Sequence, residues 1–565
     1  MIIRHRTLAA TIAVAACFAL AACGGSTSPA ATSSPGTSDT PSSSSSAPTA
    51  APGGKFSVAI EQPQSLVPSN CYDLYCANVL NAMFTGLFRF STLPGGTVEP
   101  VHTELTKSIS TADGGKTWTF EINPGWTFTN GEAITSKTFV DTWNFAALGT
   151  NGQQLGFVFG DSQLNVVGYS DVSDEKAPKA QTMSGLKIVN DTTWTMALVA
   201  PLGKGLLENF VAGPQIFPMP SVAMTDPDAF SKQPIGNGHY LMKEPWVPNQ
   251  KIVIDRNPNY KGTPALADTV EFRIYNDSTA EWADLQAGDL DVEPQLPQSA
   301  LATAASVLGD RYVNIPGSLG FGYYAFPQQG TAFKSKDVRI AIAKAINWDD
   351  INSKLFYGTQ VRAGSFAPKT ILGGGEDVCG ENCVFDPAAA KAKLASGGGI
   401  AGNAIQFAAL QGGPNTTSKA VCNQIQTNLG VACTLKLFPD FGTMLEAYAN
   451  ISASDSGFIL SGGWAADNPT LQNMIGPSFT TGAANNYIGY SNKSFDALIT
   501  QGNSAADPAK QVALWQQAEA VLYGDFVAYA TSFYNTTYGY STRVSNVKID
   551  PTAYINISEI AVIAP

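Results

Sequence analysis

Apolar and polar residues alternate from Trp118 to Asn123, a period of two that predicts a half-buried strand. Pro124-Gly125 turns the chain after it, and Asn130-Gly131 marks a second turn within Thr127 to Glu132. From Thr135 to Trp143 the period lengthens, with Phe139, Val140 and Trp143 on one face, which predicts a capped helix. Ile252 to Asp255 reads as another strand, closed by Asn257-Pro258-Asn259-Tyr260. Lys336 to Ile346 predicts an amphipathic helix. Asp386-Pro387 opens a helix running to Leu394, with the Asp as cap and the Pro at the first helical position. Pro508 to Tyr523 predicts a further helix. Strands and helices interleave irregularly and without an internal repeat, so the fold class is mixed α/β.

The apolar pattern differs at the start. Leu8 to Ala22 is an apolar run of about fifteen residues behind Arg4, His5 and Arg6, short of the roughly 20 that a membrane span needs. It reads as a secretory signal, residues 1–22. It ends in Leu20-Ala21-Ala22-Cys23-Gly24, which resembles the lipobox of bacterial lipoproteins. That resemblance implies a lipid attached to Cys23 and anchorage on the extracytoplasmic face of the cell membrane. The alternative is an ordinary signal peptide that leaves Cys23 as a thiol. Residues 23–54 are almost wholly Ser, Thr, Ala, Pro and Gly, too poor in apolar surface to offset the entropy of ordering, and predict a disordered tether of about 30 Å.

From Lys55 the composition is that of about 510 residues of globular protein, enough for two or more domains. The net charge of −12 is spread out, without the concentrated Lys and Arg that nucleic acid requires. Six cysteines fall into close pairs, and in an exported chain local disulfides are expected: Cys71–Cys76, Cys379–Cys383 and Cys422–Cys433. Zinc lacks partners, because His102 and His239 are the only histidines after the leader and neither lies near a cysteine pair. No metal and no cofactor are expected.

Five stretches share one register with the extracellular solute-binding proteins of family 5, which serve oligopeptide, dipeptide and nickel importers. They are Trp118 to Trp143; Pro234 to Tyr240 followed by Asn257 to Tyr260; Gln286 to Val292; Val338 to Asp349; and Asn486 to Asp496. A sixth, Ser461 to Pro469, resembles the family segment whose Asp pairs with a peptide ammonium. The resemblance runs from about Phe56 to the C-terminus. It implies the periplasmic-binding-protein-like two-lobed fold (type II, cluster C) with hinge strands and an additional subdomain. The division it suggests is lobe I at 55–100, 215–300 and 525–565, the additional subdomain at 101–214, and lobe II at 301–524.

Carried over residue by residue, the resemblance makes Asp467 the ammonium partner and Trp464 a pocket wall beside Gly463. Alternatively, Asp467 caps the turn into Pro469 and Trp464 belongs to the core. Tyr72, in the loop between Cys71 and Cys76, is a further candidate, or else part of a stabilised surface turn. Two departures bear on the ligand. Leu460 to Gly462 offers no Arg for a peptide carboxylate, and His239 stands where the family has Pro.

The expected partners are a small solute, most readily a peptide, and an ABC permease in the membrane, with the protein itself monomeric. A peptide-sensing or chaperone role on the same fold is the second reading, and a secreted hydrolase the third. For the hydrolase, no Gly-x-Ser-x-Gly or His-Glu-x-x-His occurs, and Ser-x-x-Lys at Ser173, Ser184 and Ser545 lacks a following Lys-Thr-Gly.

Overall fold

The computed structural model describes residues 52–563 apart from 95, 162, 376, 412–414, 452–456 and 484. The leader, Cys23 and the tether through residue 51 lie outside the described residues. Among the described residues no helix is long and apolar enough to cross a membrane.

The strands that position the site are, in chain order, β1 (Lys55–Ile60), β2 (Thr269–Ile274), β3 (Val292–Glu293), β4 (Tyr312–Ile315), β5 (Gly320–Ala325), β6 (Phe458–Ala465), β7 (Ala528–Tyr534) and β8 (Thr536–Tyr540). A seven-stranded sheet has the order β4-β8-β3-β1-β2, followed by Lys251–Arg256 and Tyr240–Leu241. Its centre is parallel: β1 runs with β2 and with β3. A six-stranded sheet has the order Gln360–Arg362, β7, β5, β6, Ala404–Leu410, Ala432–Phe438.

The chain passes between these two sheets at adjacent places. Residues 316–319 lead from β4 into β5, and Asn535 alone leads from β7 into β8. Because β4 pairs with β8 and β5 with β7, the two connections run side by side. Ser318 N–H donates to the Tyr534 carbonyl (2.7 Å) and Asn535 Nδ2 to Asn314 Oδ1 (2.8 Å). Gly317 within the first connection has φ +78°, and a Cβ there would sit 2.6 Å from Pro368 Cβ. Backbone conformation and space both demand glycine at that point.

A four-stranded antiparallel sheet is built on the alternation that opens the sequence. In the strand Thr117–Ile122, Trp118, Phe120 and Ile122 are buried. The helix Ser136–Ala147 lies after N-cap Thr135, whose capping box is completed by Thr138. Its apolar face joins the sheet in an aromatic cluster: Trp194 stacks between Phe120 (5.2 Å) and Phe139 (4.7 Å), with Trp143 edge-on to Phe120. Each such side chain contributes about 1.5–3 kcal/mol by leaving water. Elsewhere Lys336–Lys344, Pro387–Ser396 and Pro508–Asp525 are helical, the last two capped by Asp386 and Asp507. Disulfides join Cys71 to Cys76, Cys379 to Cys383 and Cys422 to Cys433.

Three acids of this core contribute to its pH response. Glu519, fully buried, accepts a hydrogen bond from Phe366 N–H (2.6 Å), but burial dominates and pushes its carboxyl up to about 7. Burial likewise raises Asp550 to about 6, against hydrogen bonds from Thr552. At Glu271 burial opposes ionisation, yet hydrogen bonds from Lys55 and Arg273 and the charge of Lys251 more than offset it and lower the group to about 2. An unfolded Glu titrates near about 4.3. Between that value and about 7 these two carboxyls therefore bind more protons in the native state than in the unfolded one, so their contribution to stability falls as pH rises. Glu271 acts oppositely, its contribution being lost as pH falls toward about 2. The melting temperature is thus expected to be higher at pH 5 than at pH 8, with Glu519→Gln flattening the difference. A protein that melts at the same temperature at both would contradict this account.

Candidate functional site

Two sets of residues face the connections between the sheets. The first stands at the end of β6. Gly463 pairs with Gly322 of β5, and Trp464 with Phe321. A Cβ at Gly320 would meet the Tyr534 ring at 2.6 Å, and one at Gly463 would meet its hydroxyl at 3.2 Å. The missing side chains let Tyr534 lie flat on the sheet. On the opposite face, a Cβ at Gly462 would strike the Tyr323 ring at 2.6 Å. Trp464 is half-buried, and its indole N–H is buried without a hydrogen-bond partner.

Asp467 follows in the loop, next to Ala466, whose N–H bonds to Leu319 of the first connection (3.0 Å). Its backbone N–H donates to Asn473 Oδ1 (2.9 Å), and Asn473 Nδ2 reaches its carboxylate at 3.4 Å. Asn473 lies on the helix Leu471–Phe479, and Thr470 caps that helix. Asn468 holds Thr470 in turn (2.7 Å). Turn-capping therefore falls to Thr470 and Asn468 rather than to Asp467. The Asp467 side chain is exposed, yet surrounding protein raises its pKa, with burial the main cause and Asn473 partly opposing it. The carboxylate is thus open to an incoming donor. It can accept a charged hydrogen bond.

The second set lies on the seven-stranded sheet, beyond the carboxyl ends of β1, β2 and β3, where ligands of open parallel sheets bind. A cavity of about 530 Å³ is lined there by Glu61, Tyr75, Tyr275, Asp277, Glu281 and Glu293, among others. Its rim residue Leu296 donates its N–H to Thr537 (3.0 Å), at the start of β8 beside the second connection. The helix α1 (Leu74–Met83) brings Tyr75 into this wall. Asp73 caps α1 by accepting from Cys76 N–H (2.7 Å), and the Cys71–Cys76 bond wraps that cap. Tyr72 instead lies exposed with its hydroxyl on Gln64.

A second helix, α2 (Ser278–Ala287), supplies Glu281. Glu293 is 1% exposed and one of its carboxyl oxygens has no partner. Burial, then the charge of Glu281 and a hydrogen bond with it, push Glu293 up to about 9; Glu281 is itself raised by burial. Burial thus disfavours charge on both carboxyls. Sequence reading passed over both, although an acid closing a parallel strand, as Glu293 closes β3, is a usable signal.

At the other end of α1, a cavity of about 510 Å³ is lined by Phe84, Arg89, His239, Tyr260 and Asp550, among others. His239 packs on Tyr260 with ring centres 4.2 Å apart, and burial holds it down to about 4, a neutral imidazole. Among the described residues no three His, Cys, Asp or Glu side chains are gathered to hold a metal ion.

The profile described as bacterial extracellular solute-binding proteins, family 5 (middle region) matches residues 100–539. A probable deoxycholate-binding periplasmic protein of Escherichia coli is 25% identical over 478 residues, covering 81% of this chain and 84% of its own. The dipeptide-binding protein of the same organism is 25% identical over 456 residues, covering 76% and 81%. Among solved structures, a periplasmic murein tripeptide binding protein in its unliganded open form superposes with a TM-score of 0.78 at 20% identity, covering 92% of this chain and 99% of its own. Such a likeness speaks for the fold, which is the two-lobed type II α/β architecture of periplasmic binding proteins.

Proposed function

The chain belongs to the bacterial extracellular solute-binding proteins of family 5, and on that premise we propose that it is the lipid-anchored, solute-capturing component of an ABC importer, taking peptides or another amine-bearing solute. The family binds solutes and is not enzymatic. Relatives named for dipeptide and oligopeptide binding support the peptide, and the lipobox-like end of the leader supports attachment through Cys23 and an extracytoplasmic location. Tyr72 stays in the proposal as a contact made from the exposed loop, alongside Trp464 and Gly463.

Asp467 is the observation that carries this reading. Its carboxylate is free of cap duty, oriented by Asn473 and set beside Trp464 at the connection between the sheets. In the proposed division, lobe I takes 55–100, 215–300 and 525–565, the additional subdomain 101–214, and lobe II 301–524. The paired connections are then the hinge. Solute contacts made only when the lobes close favour the closed form, which is the form a permease reads.

Native mass spectrometry of the full chain in detergent tests the solute class. The expected result is a co-purified mass that fragments as a peptide or amine. A bound solute without any amino group would overturn the proposal.

A further inference from the structure

The acidic cavity at the ends of β1, β2 and β3 has a chemistry of its own. Four carboxyl groups line it: Glu61 after β1, Glu293 at the end of β3, and Asp277 and Glu281 on α2 and its cap. Among the described residues the other titratable groups in its wall are Tyr75 from α1 and Tyr275 after β2, and no Lys, Arg or His lines it. Tyr75 is occupied, bonded to Glu61, and burial followed by that bond raises its pKa. Tyr275 is occupied too, donating to Asp284 (2.7 Å). Glu293, by contrast, is 1% exposed and keeps one oxygen unpartnered. A buried acceptor left unmade is costly, and a donor entering the cavity removes that cost.

Resting on the solute-binding reading above, we propose that this cavity is a subsite for a cationic group of the solute, a primary ammonium or guanidinium, which donates to the unpartnered oxygen of Glu293. In the empty site one carboxyl of the pair is protonated, so two bare charges are not held together in a buried place. When the cation enters, it donates to the free oxygen of Glu293, its charge favours the ionised carboxyl, and one proton leaves to solvent. The preferred solute is therefore a basic peptide or a polyamine. A neutral peptide leaves the pair as it was.

Titration calorimetry on the full chain in detergent, run in buffers of different ionisation enthalpy, tests this with trilysine, trialanine and spermidine. Trilysine is expected to bind at least tenfold tighter than trialanine at pH 8, releasing about one proton. Its advantage should grow by up to about tenfold per pH unit between pH 7 and 9, as linkage to one released proton requires. Glu293→Gln and, separately, Glu281→Gln should reduce the trilysine preference to within about twofold and abolish the proton release. Thermal melts of both variants serve as the folding control. Equal binding of trilysine and trialanine, or a preference that survives both substitutions, overturns the subsite while leaving peptide capture intact. Spermidine bound with proton release while no tripeptide binds sustains the subsite and removes the peptide. Binding of none of the three overturns both.

Discussion

Asp467→Ala is expected to weaken an amine-bearing solute roughly thirtyfold or more, a loss of about 2 kcal/mol, the low end for truncating one partner of a desolvated charge pair. The size follows from the environment. In the structure Asp467 reaches water, and a pair formed there would be worth little. In the proposed closure of the lobes that water is removed, and the carboxylate would then face the ammonium in a medium that hardly screens it. Asn473 already reaches the carboxylate in this structure, so less ordering is left for the moment of binding. Asp467→Asn keeps the shape and removes the charge, and should lose nearly as much. Calorimetry with a dipeptide and with its N-acetylated form reads this directly: the unmodified dipeptide should suffer from the substitution and the acetylated one should not. Equal affinities for wild type and Asp467→Ala would remove Asp467 from the site.

Asp291→Ala should cost about 1–3 kcal/mol of stability, the range for leaving buried donors without their acceptor. Asp291 is 1% exposed, just ahead of β3. Its carboxylate accepts from the Ser57 N–H (2.9 Å) and hydroxyl (3.2 Å) on β1 and from the Ser541 hydroxyl (2.8 Å) just past β8, with Arg543 Nε at 3.4 Å. The Asp291 N–H bonds back to Ser57 Oγ (3.1 Å). One side chain thus joins segments from the beginning, middle and end of the chain. Its removal strands several donors at once. Chemical denaturation gives the measure, and a change below about 1 kcal/mol would show that the cluster is replaceable.

The elements that were legible in the sequence are those with a face toward water. Trp118, Phe120 and Ile122 alternate because one side of their strand is exposed, and Phe139, Val140 and Trp143 recur at helical spacing for the same reason. β5 gave no such sign. All six residues of Gly320–Ala325 are buried, so no alternation survives to be read. The segment holding Trp464 and Asp467 was found by its likeness to a family motif, yet its geometry was not. That Thr470 relieves Asp467 of capping is visible only once the helix start is placed. Tyr72 and Tyr75 look equivalent along the chain. The Asp73 cap decides between them, setting where α1 begins and hence which ring turns toward the cavity. Glu281 and Glu293 meet because α2 returns the chain onto β3, and spacing alone carries no record of that return.

The seven-stranded sheet also constrains the order in which the molecule can be made. β8 is among the last strands synthesised, yet it lies inside the sheet that β1 begins, between β3 and β4. A growing chain halted before Thr536 holds β3 and β4 with a gap between them, and Ser541 is not there to complete the cluster on Asp291. The other sheet has its own late arrival in β7, the neighbour of β5. Neither half can finish alone while the ribosome is still at work. Contacts of such long sequence separation are slow to form, so acquisition of structure is deferred until the whole polypeptide is available, and loss of everything from Ala528 onward, which holds both β7 and β8, would affect both halves together.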